Sequence, residues 1–169
     1  MKINLEEIRN KTVPVNKYMA SIGEPFSGKF FERKKGYKLN LEAVNKLKKL
    51  VNNVVVVAFS AEWCKDCAAN IPVLALVSEV TGLEVRIFGG LKKDPLNPQR
   101  KWSIPPSPPE VETFNVDKIP LILIFNKEGA ELGRIVENPR LGLTLEEELL
   151  QIILKSAGKT QLCFEPFKY

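Results

Sequence analysis

The sequence predicts an α/β fold in which buried strands alternate with helices, led by a helical segment and interrupted by one proline-rich loop. Three runs of residues carry that expectation. Val54-Val55-Val56-Val57-Ala58-Phe59 is apolar and mostly β-branched with no polar alternation, the pattern of a central strand buried on both faces. Residues 68–80 are instead apolar at helical spacing, through Ile71, Leu74, Ala75, Leu76 and Val80. Leu121-Ile122-Leu123-Ile124-Phe125 returns to the buried-strand pattern.

In chain order, residues 1–50 are expected to form a helical N-terminal extension packed on the core. Short helices fit Leu5–Asn10 and Val15–Ile22, the second broken by Gly23-Glu24-Pro25. Asn40 is placed to cap a helix over Leu41–Val51, whose apolar positions are Leu41, Val44, Leu47 and Leu50 or Val51. The main domain covers 51–156 and holds the Val54–Phe59 strand, the helix over 68–80 and a strand over Glu84–Phe88. Residues 89–109 break the pattern. Six of the chain's 12 prolines fall between Pro95 and Pro109, and proline lacks the N–H that regular structure needs. An extended loop insertion is expected there, with Trp102 as its anchor; loops this long tend to be functional or mobile. After a short segment at Glu110–Asn115, the Leu121–Phe125 strand leads through a turn at Asn126-Lys127-Glu128-Gly129 into a pairing strand over Ala130–Val136. Thr144 and Glu147 make a capping box for a helix reaching Ser156, with Gly158 as its C-cap. Residues 157–169 form a C-terminal tail.

Composition narrows the function classes. With 169 residues, 44% apolar and 27% charged, the chain can bury one sizeable core. No run approaches the roughly 18 apolar residues of a membrane span, so no membrane partner is expected. Glu6 and Glu7 fall where a signal peptide needs its apolar core, which points to a cytoplasmic protein. The net charge is +5, and Lys29, Arg33, Lys34, Lys35 and Lys38 form one basic cluster. Phe30, Phe31 and Tyr37 lie near it without forming a recognition motif, so the cluster fits solvated surface and no nucleic acid is expected. The chain has no histidine, which removes the commonest general base and the commonest metal ligand.

The most informative residues are Trp63-Cys64-Lys65-Asp66-Cys67. Two thiols stand two residues apart where a buried strand gives way to a helix, so Cys64 lies near a helix N-terminus. Unpaired N–H groups and the positive end of the helix dipole favour an anion there. A C-x-x-C pair in that setting fits redox chemistry. Ala61-Glu62-Trp63-Cys64 followed by Cys67 resembles the active-site turn of the thioredoxin-like family. Pro72, eight residues after Cys64, lies where that family kinks its active-site helix. Ile119-Pro120 matches the dipeptide whose proline is cis and faces the disulfide, and the element order over residues 51–156 is the family's order. The resemblance implies a thioredoxin fold, a central mixed β-sheet flanked by helices. It implies a thiol–disulfide oxidoreductase without cofactor or metal, a protein disulfide reductase served by a dithiol electron donor and acting on client proteins or small disulfides. The Cys-Lys-Asp-Cys motif with a helical extension resembles a less characterised branch more than thioredoxin proper. Two departures stand out. The family's buried aspartate, six residues before the first cysteine, is Ala58 here, and its lysine partner is Arg86 or Ile87.

Exchange chemistry assigns the roles. The attacking thiol must be a thiolate, and a second thiol must be near enough to resolve the mixed disulfide. A helix end contributes about 0.3–2 kcal/mol to an anion. At about 1.4 kcal/mol per unit, this lowers a thiol pKa by about 0.2–1.5 units. Cys64 is therefore expected to attack and Cys67 to resolve. Trp63 either shields one side of the disulfide or sits in the core. Asp66 is the carboxylate nearest Cys67, a candidate proton shuttle or a surface residue that favours the first helical turn. The backbone of Ile119, beside Pro120, is expected to pair with an extended substrate segment. Lys65 is expected to be exposed. Two other readings share the motif. A structural zinc site needs four ligands, and three cysteines without histidine do not supply them in one chain. A binding module with an incidental disulfide would keep the fold and lose the turnover. Cys163 is expected to be a free thiol packed beside Phe164 and Phe167.

Overall fold

Every residue of β2 (Val54–Phe59) is buried, as its uninterrupted apolar run dictates. Each Val or Phe side chain contributes about 1.5–3 kcal/mol on leaving water, so both faces of the strand must be covered and both edges paired. The computed structural model, which describes residues 2–161, shows how this is done. β3 (Glu84–Phe88) runs parallel to β2 on one side, and β4 (Leu121–Asn126) runs antiparallel on the other. β5 (Glu131–Val136) pairs back on β4 as a hairpin. A two-residue strand, β1 (Val13–Pro14), lies antiparallel on the outer edge of β3. The sheet order is β1-β3-β2-β4-β5. This is the mixed sheet of the thioredoxin fold that the motif resemblance implied.

The helices are α1 (Leu5–Lys11), α2 (Val15–Ser21), α3 (Ser27–Gly36), α4 (Leu41–Leu47), α5 (Lys65–Thr81), α6 (Glu110–Thr113) and α7 (Leu145–Gln161). α2, α5 and α7 touch the sheet, while α3 and α4 pack on α5 and α4 also on α7. Asn40 caps α4 through Ala43 N–H at 3.1 Å, as expected. The Thr144–Glu147 capping box is also formed, with both reciprocal bonds made. Behind the motif, the rings of Phe59 and Phe88 stack at 4.7 Å and Phe114 fills the space beside them.

Several elements differ from expectation. The leading segment is not purely helical, because Val13–Pro14 joins the sheet. Proline cannot donate to a ladder, which confines it to an edge strand. α3 was not expected: its face toward the core is one residue wide, with Phe30 0% exposed among lysines and arginines. Part of the basic cluster is therefore engaged and not simply solvated. Arg33 Nε donates to the Ala69 carbonyl of α5 at 2.9 Å, and Lys34 pairs with Glu79. α4 ends at Leu47, short of Val51, as the backbone tightens into i→i−3 bonds from Lys49 and Leu50. α5 starts at Lys65, so the motif forms its cap and first turn. α7 continues through Gly158 to Gln161, so that glycine does not end the helix. The placement expected for Cys163, Phe164 and Phe167 lies outside the described residues.

The N-terminal segment is tied down by charge. Arg9 donates two bonds to the Glu84 carboxylate, at 2.8 and 2.9 Å, and Arg86 donates to Thr12 and to the Arg9 carbonyl. The start of the chain also crosses the β4–β5 turn, where Ile3 N–H donates to the Gly129 carbonyl at 2.8 Å. Gly129 has φ +85°, and a Cβ there would lie 1.9 Å from the Ile3 carbonyl oxygen. Gly129→Ala should therefore cost about 2 kcal/mol or more, combining left-handed strain with loss of the Ile3 contact. A denaturant midpoint unchanged from wild type would contradict this packing.

Candidate active site

β2 ends at Phe59, and the chain leaves the sheet through Ser60, whose N–H donates to the Phe88 carbonyl at 2.9 Å. A tight turn follows, with Cys64 N–H donating to the Ala61 carbonyl. Cys64 is then the N-cap of α5, with extended backbone (φ −79°, ψ 122°). Its sulfur accepts from Cys67 N–H at 3.2 Å, the bond that a serine or aspartate oxygen makes at an ordinary N-cap. Both cysteines are free thiols. Cys64 is 8% exposed and Cys67 is fully buried, so the first sulfur lies nearer the surface.

The two thiols are driven apart in acidity. Cys64 is held below the ordinary thiol value, first by a hydrogen bond from the Cys67 side chain and then by the Cys67 and Asp66 N–H groups. Burial and the Asp66 carboxylate act against that. Cys67 is pushed far up by burial, and its bond to Cys64 and the charge there add to the effect. The Ala61 backbone and the Ser60 hydroxyl pull the other way.

Ile119 and Pro120 come to the same place from the other end of the domain. The peptide between them is cis, and the Ile119 carbonyl accepts from Cys64 Sγ at 3.6 Å. The Pro120 carbonyl is taken by Glu137 N–H at 2.8 Å. Trp63 is 48% exposed and lies on the surface beside the motif, with Nε1 donating to the Leu91 carbonyl at 3.1 Å. Its ring stacks on Trp102 at 6.2 Å between centroids. Trp102 is buried and donates to the Asp117 carbonyl at 3.0 Å, so it anchors the proline-rich loop against the active-site turn. Asp66 accepts from Asn138 Nδ2 at 3.2 Å, and Lys65 is exposed. Among the described residues, no group of three or more His, Cys, Asp or Glu side chains is placed to hold a metal ion.

The register also settles the missing charges. Ala58 lies opposite Ile87, so an apolar pair occupies that position, and Arg86 is engaged with the N-terminal segment instead. Losing both charges together leaves none stranded in the core, which would cost several kcal/mol. Sequence reasoning missed three polar residues near the motif. Asn70, buried on α5, donates to the Asp66 and Glu137 carbonyls, both at 2.9 Å. Ser60 is fully buried, with Tyr18 Oη 2.9 Å from its Oγ. The one local signal was a serine between a buried strand and the cysteine turn. Tyr18 is 42 residues away and gave none.

Comparison with known proteins bears on the family and the fold. A family model described as Thioredoxin matches residues 13–149. The chain is 34% identical over 107 residues to a thioredoxin of Chlamydia muridarum, covering 63% of this chain and 85% of that protein. Against a thioredoxin of Chlamydia trachomatis it is 32% identical over 107 residues, with the same coverage. Among solved structures, a Pseudomonas aeruginosa protein of unknown function superimposes with a TM-score of 0.67 at 17% identity, over 93% of this chain and 99% of that one. An HIV epitope-scaffold gives 0.66 at 16% identity, over 92% and 99%. Both likenesses concern the fold.

The split in acidity is directly measurable. Labelling by iodoacetamide should modify Cys64 with a midpoint below the ordinary thiol value of about 8.5, while Cys67 stays unlabelled at neutral pH. Peptide mass mapping against pH reads both sites. A Cys64 midpoint at or above 8.5 would contradict the cap geometry.

Proposed function

The chain belongs to the thioredoxin family, and on that premise we propose that it is a thiol–disulfide oxidoreductase working as a protein disulfide reductase. One observation supports this above the others. The Cys64 sulfur caps α5 and faces the only second thiol within reach among the described residues, one helical turn away. In the proposed cycle, the Cys64 thiolate attacks one sulfur of a client disulfide. The client disulfide breaks, its leaving sulfur departs as a thiolate, and a mixed disulfide joins Cys64 to the other sulfur. Cys67 then attacks Cys64 Sγ, closing the 64–67 disulfide and releasing the second client thiol. Two electrons pass to the client, and an external dithiol reductant returns them to the pair. A low pKa makes Cys64 a good leaving group in the second step, and the placement of Cys67 makes that step intramolecular.

Ile119, Pro120 and Trp63 are proposed to receive the client. At rest the Ile119 carbonyl is bonded to the Cys64 thiol. Ionising Cys64 removes that S–H donor and frees the carbonyl for an extended peptide laid along it. Docking is thereby linked to the reactive form of the nucleophile. Trp63 offers an exposed apolar ring beside the sulfur, held by its bonds to the anchored loop. Asp66, whose charge opposes the Cys64 thiolate and whose carboxylate is held by Asn138 Nδ2, is proposed to tune that acidity. A reductase needs a compartment that keeps thiols reduced, so a cytoplasmic setting is proposed.

Dithiothreitol-driven reduction of a disulfide-bonded protein tests the assignment. Cys64→Ser should abolish catalysed turnover, and Cys67→Ser should accumulate a mixed disulfide visible as a mass adduct on Cys64. Turnover that survives Cys64→Ser would remove its assigned role. A wild type that binds proteins without reducing them would leave a binding module.

A further inference from the structure

The proposed reductase cycle, on which this inference rests, requires Cys67 to give up its proton while buried among apolar side chains. No carboxylate stands at Ala58 to accept it. Besides Cys64 and the Ala61 backbone, the polar group that acts on Cys67 is the Ser60 hydroxyl, which favours its ionised form. Ser60 is fully buried, and its Oγ lies 2.9 Å from Tyr18 Oη. Tyr18 lines a cavity of about 410 Å³ that is also bordered by Lys11, Thr12, Ser21 and Glu62. Its ring is seated against Gly89, where a Cβ would come within 2.8 Å of Tyr18 Cε2. Ser60 and Tyr18, bonded to each other, therefore stand between the resolving sulfur and a cavity large enough for water.

We propose that Ser60 and Tyr18 form a hydroxyl relay that carries the Cys67 proton to this cavity as Cys67 closes the 64–67 bond. The bond between Cys64 and the client sulfur breaks, and its electron pair leaves on the client sulfur. The Cys67 proton passes to Ser60 Oγ, the Ser60 hydrogen passes to Tyr18 Oη, and the Tyr18 hydrogen passes to water. Each hydroxyl ends with the hydrogens it began with, so neither has to ionise. Burial holds the Tyr18 phenol neutral, which suits a relay and not a phenolate base. In this relay Ser60 takes the proton from the reacting sulfur and is the catalytic member; Tyr18 acts through it and is a positioning residue.

Other charged groups around the thiols are accounted for. Asp66 and Cys64 come from the start of α5, and Glu62 from the turn. Lys11 of α1 pairs with Glu110 of α6. Arg33 and Lys34 of α3 are engaged with Ala69 and Glu79, Glu146 of α7 with Tyr37 and Asn40 of the α4 cap, and Arg86 of β3 with Thr12. The rival proton acceptor is Asp66.

An aryl disulfide that releases a coloured thiol separates the two steps in a single turnover. The first phase reports attack by Cys64 and the second reports resolution by Cys67. Wild type is compared with Ser60→Ala, Tyr18→Phe, Ser60→Thr and Asp66→Asn from mildly acidic to mildly alkaline pH. Ser60→Ala and Tyr18→Phe should slow the second phase about tenfold or more at neutral pH and spare the first. The deficit should shrink as pH rises and hydroxide takes over, and Ser60→Thr should restore most of the rate. Wild-type resolution in both variants overturns the relay. So does an equal slowing at every pH, which marks mere misplacement, or a pH-dependent deficit found in Asp66→Asn instead. If Ser60→Ala does not fold, Tyr18→Phe, which keeps the ring beside Gly89, decides by the same criteria. A wild type lacking the first phase ends the reductase reading, whereas a wild type with both phases and unaffected variants ends the relay alone.

Discussion

The amide of Cys67 donates to the sulfur of Cys64, and that bond fixes both the geometry and the chemistry of the site. A helix begins with N–H groups that have no partner in its own turn. Elsewhere an oxygen from serine, threonine or aspartate fills that role; here a sulfur does, and a sulfur gains more from it as a thiolate. The bond exists because β2 is buried and paired on both edges, which fixes where the chain leaves the sheet. Three residues of turn then bring Cys64 to the mouth of α5, under the Ile119 carbonyl. The reactive group is therefore held by the buried, doubly paired centre of the sheet, although it lies close to the surface.

Elements outside the central strands furnish the surroundings of the sulfurs. α2 supplies Tyr18 on the buried side, next to Ser60. The loop between β3 and α6 supplies Trp102 on the exposed side, under Trp63. Arg9 and Arg86 clamp the N-terminal segment to β3, and Trp102 pins its loop to Asp117. The additions to the sheet are thus fastened by directional polar bonds as well as by burial of side chains such as Ile8, Met19, Phe30 and Trp102.

What could be seen in the sequence was local. The Val54–Phe59 run, the Asn40 cap and the Thr144–Glu147 box each declare themselves within a few residues, because their physics is complete at that range. α3 hides behind its own charges, since Phe30 is its one buried side chain and Arg33 and Lys34 supply the rest of its hold on α5. β1 is two residues long and contains a proline, so no periodicity could reveal it. Whether Arg86 or Ile87 faces Ala58 depended on strand register, which a one-residue slip reverses. The Tyr18–Ser60 contact joins residues with no shared pattern, and only the folded chain brings them together.

The Ala58–Ile87 pair has a consequence for the electrochemistry of the thiols. With an alanine and an isoleucine directly behind the motif, the charge that changes when the pair is oxidised sits on the sulfurs themselves. The slope of reduction potential against pH is then set by the two thiol titrations, without an inflection from an ionising group at that core position. The couple is in this sense electrically self-contained, and its poise can shift through the helix cap and the solvent-facing loop while the sheet beneath stays unchanged.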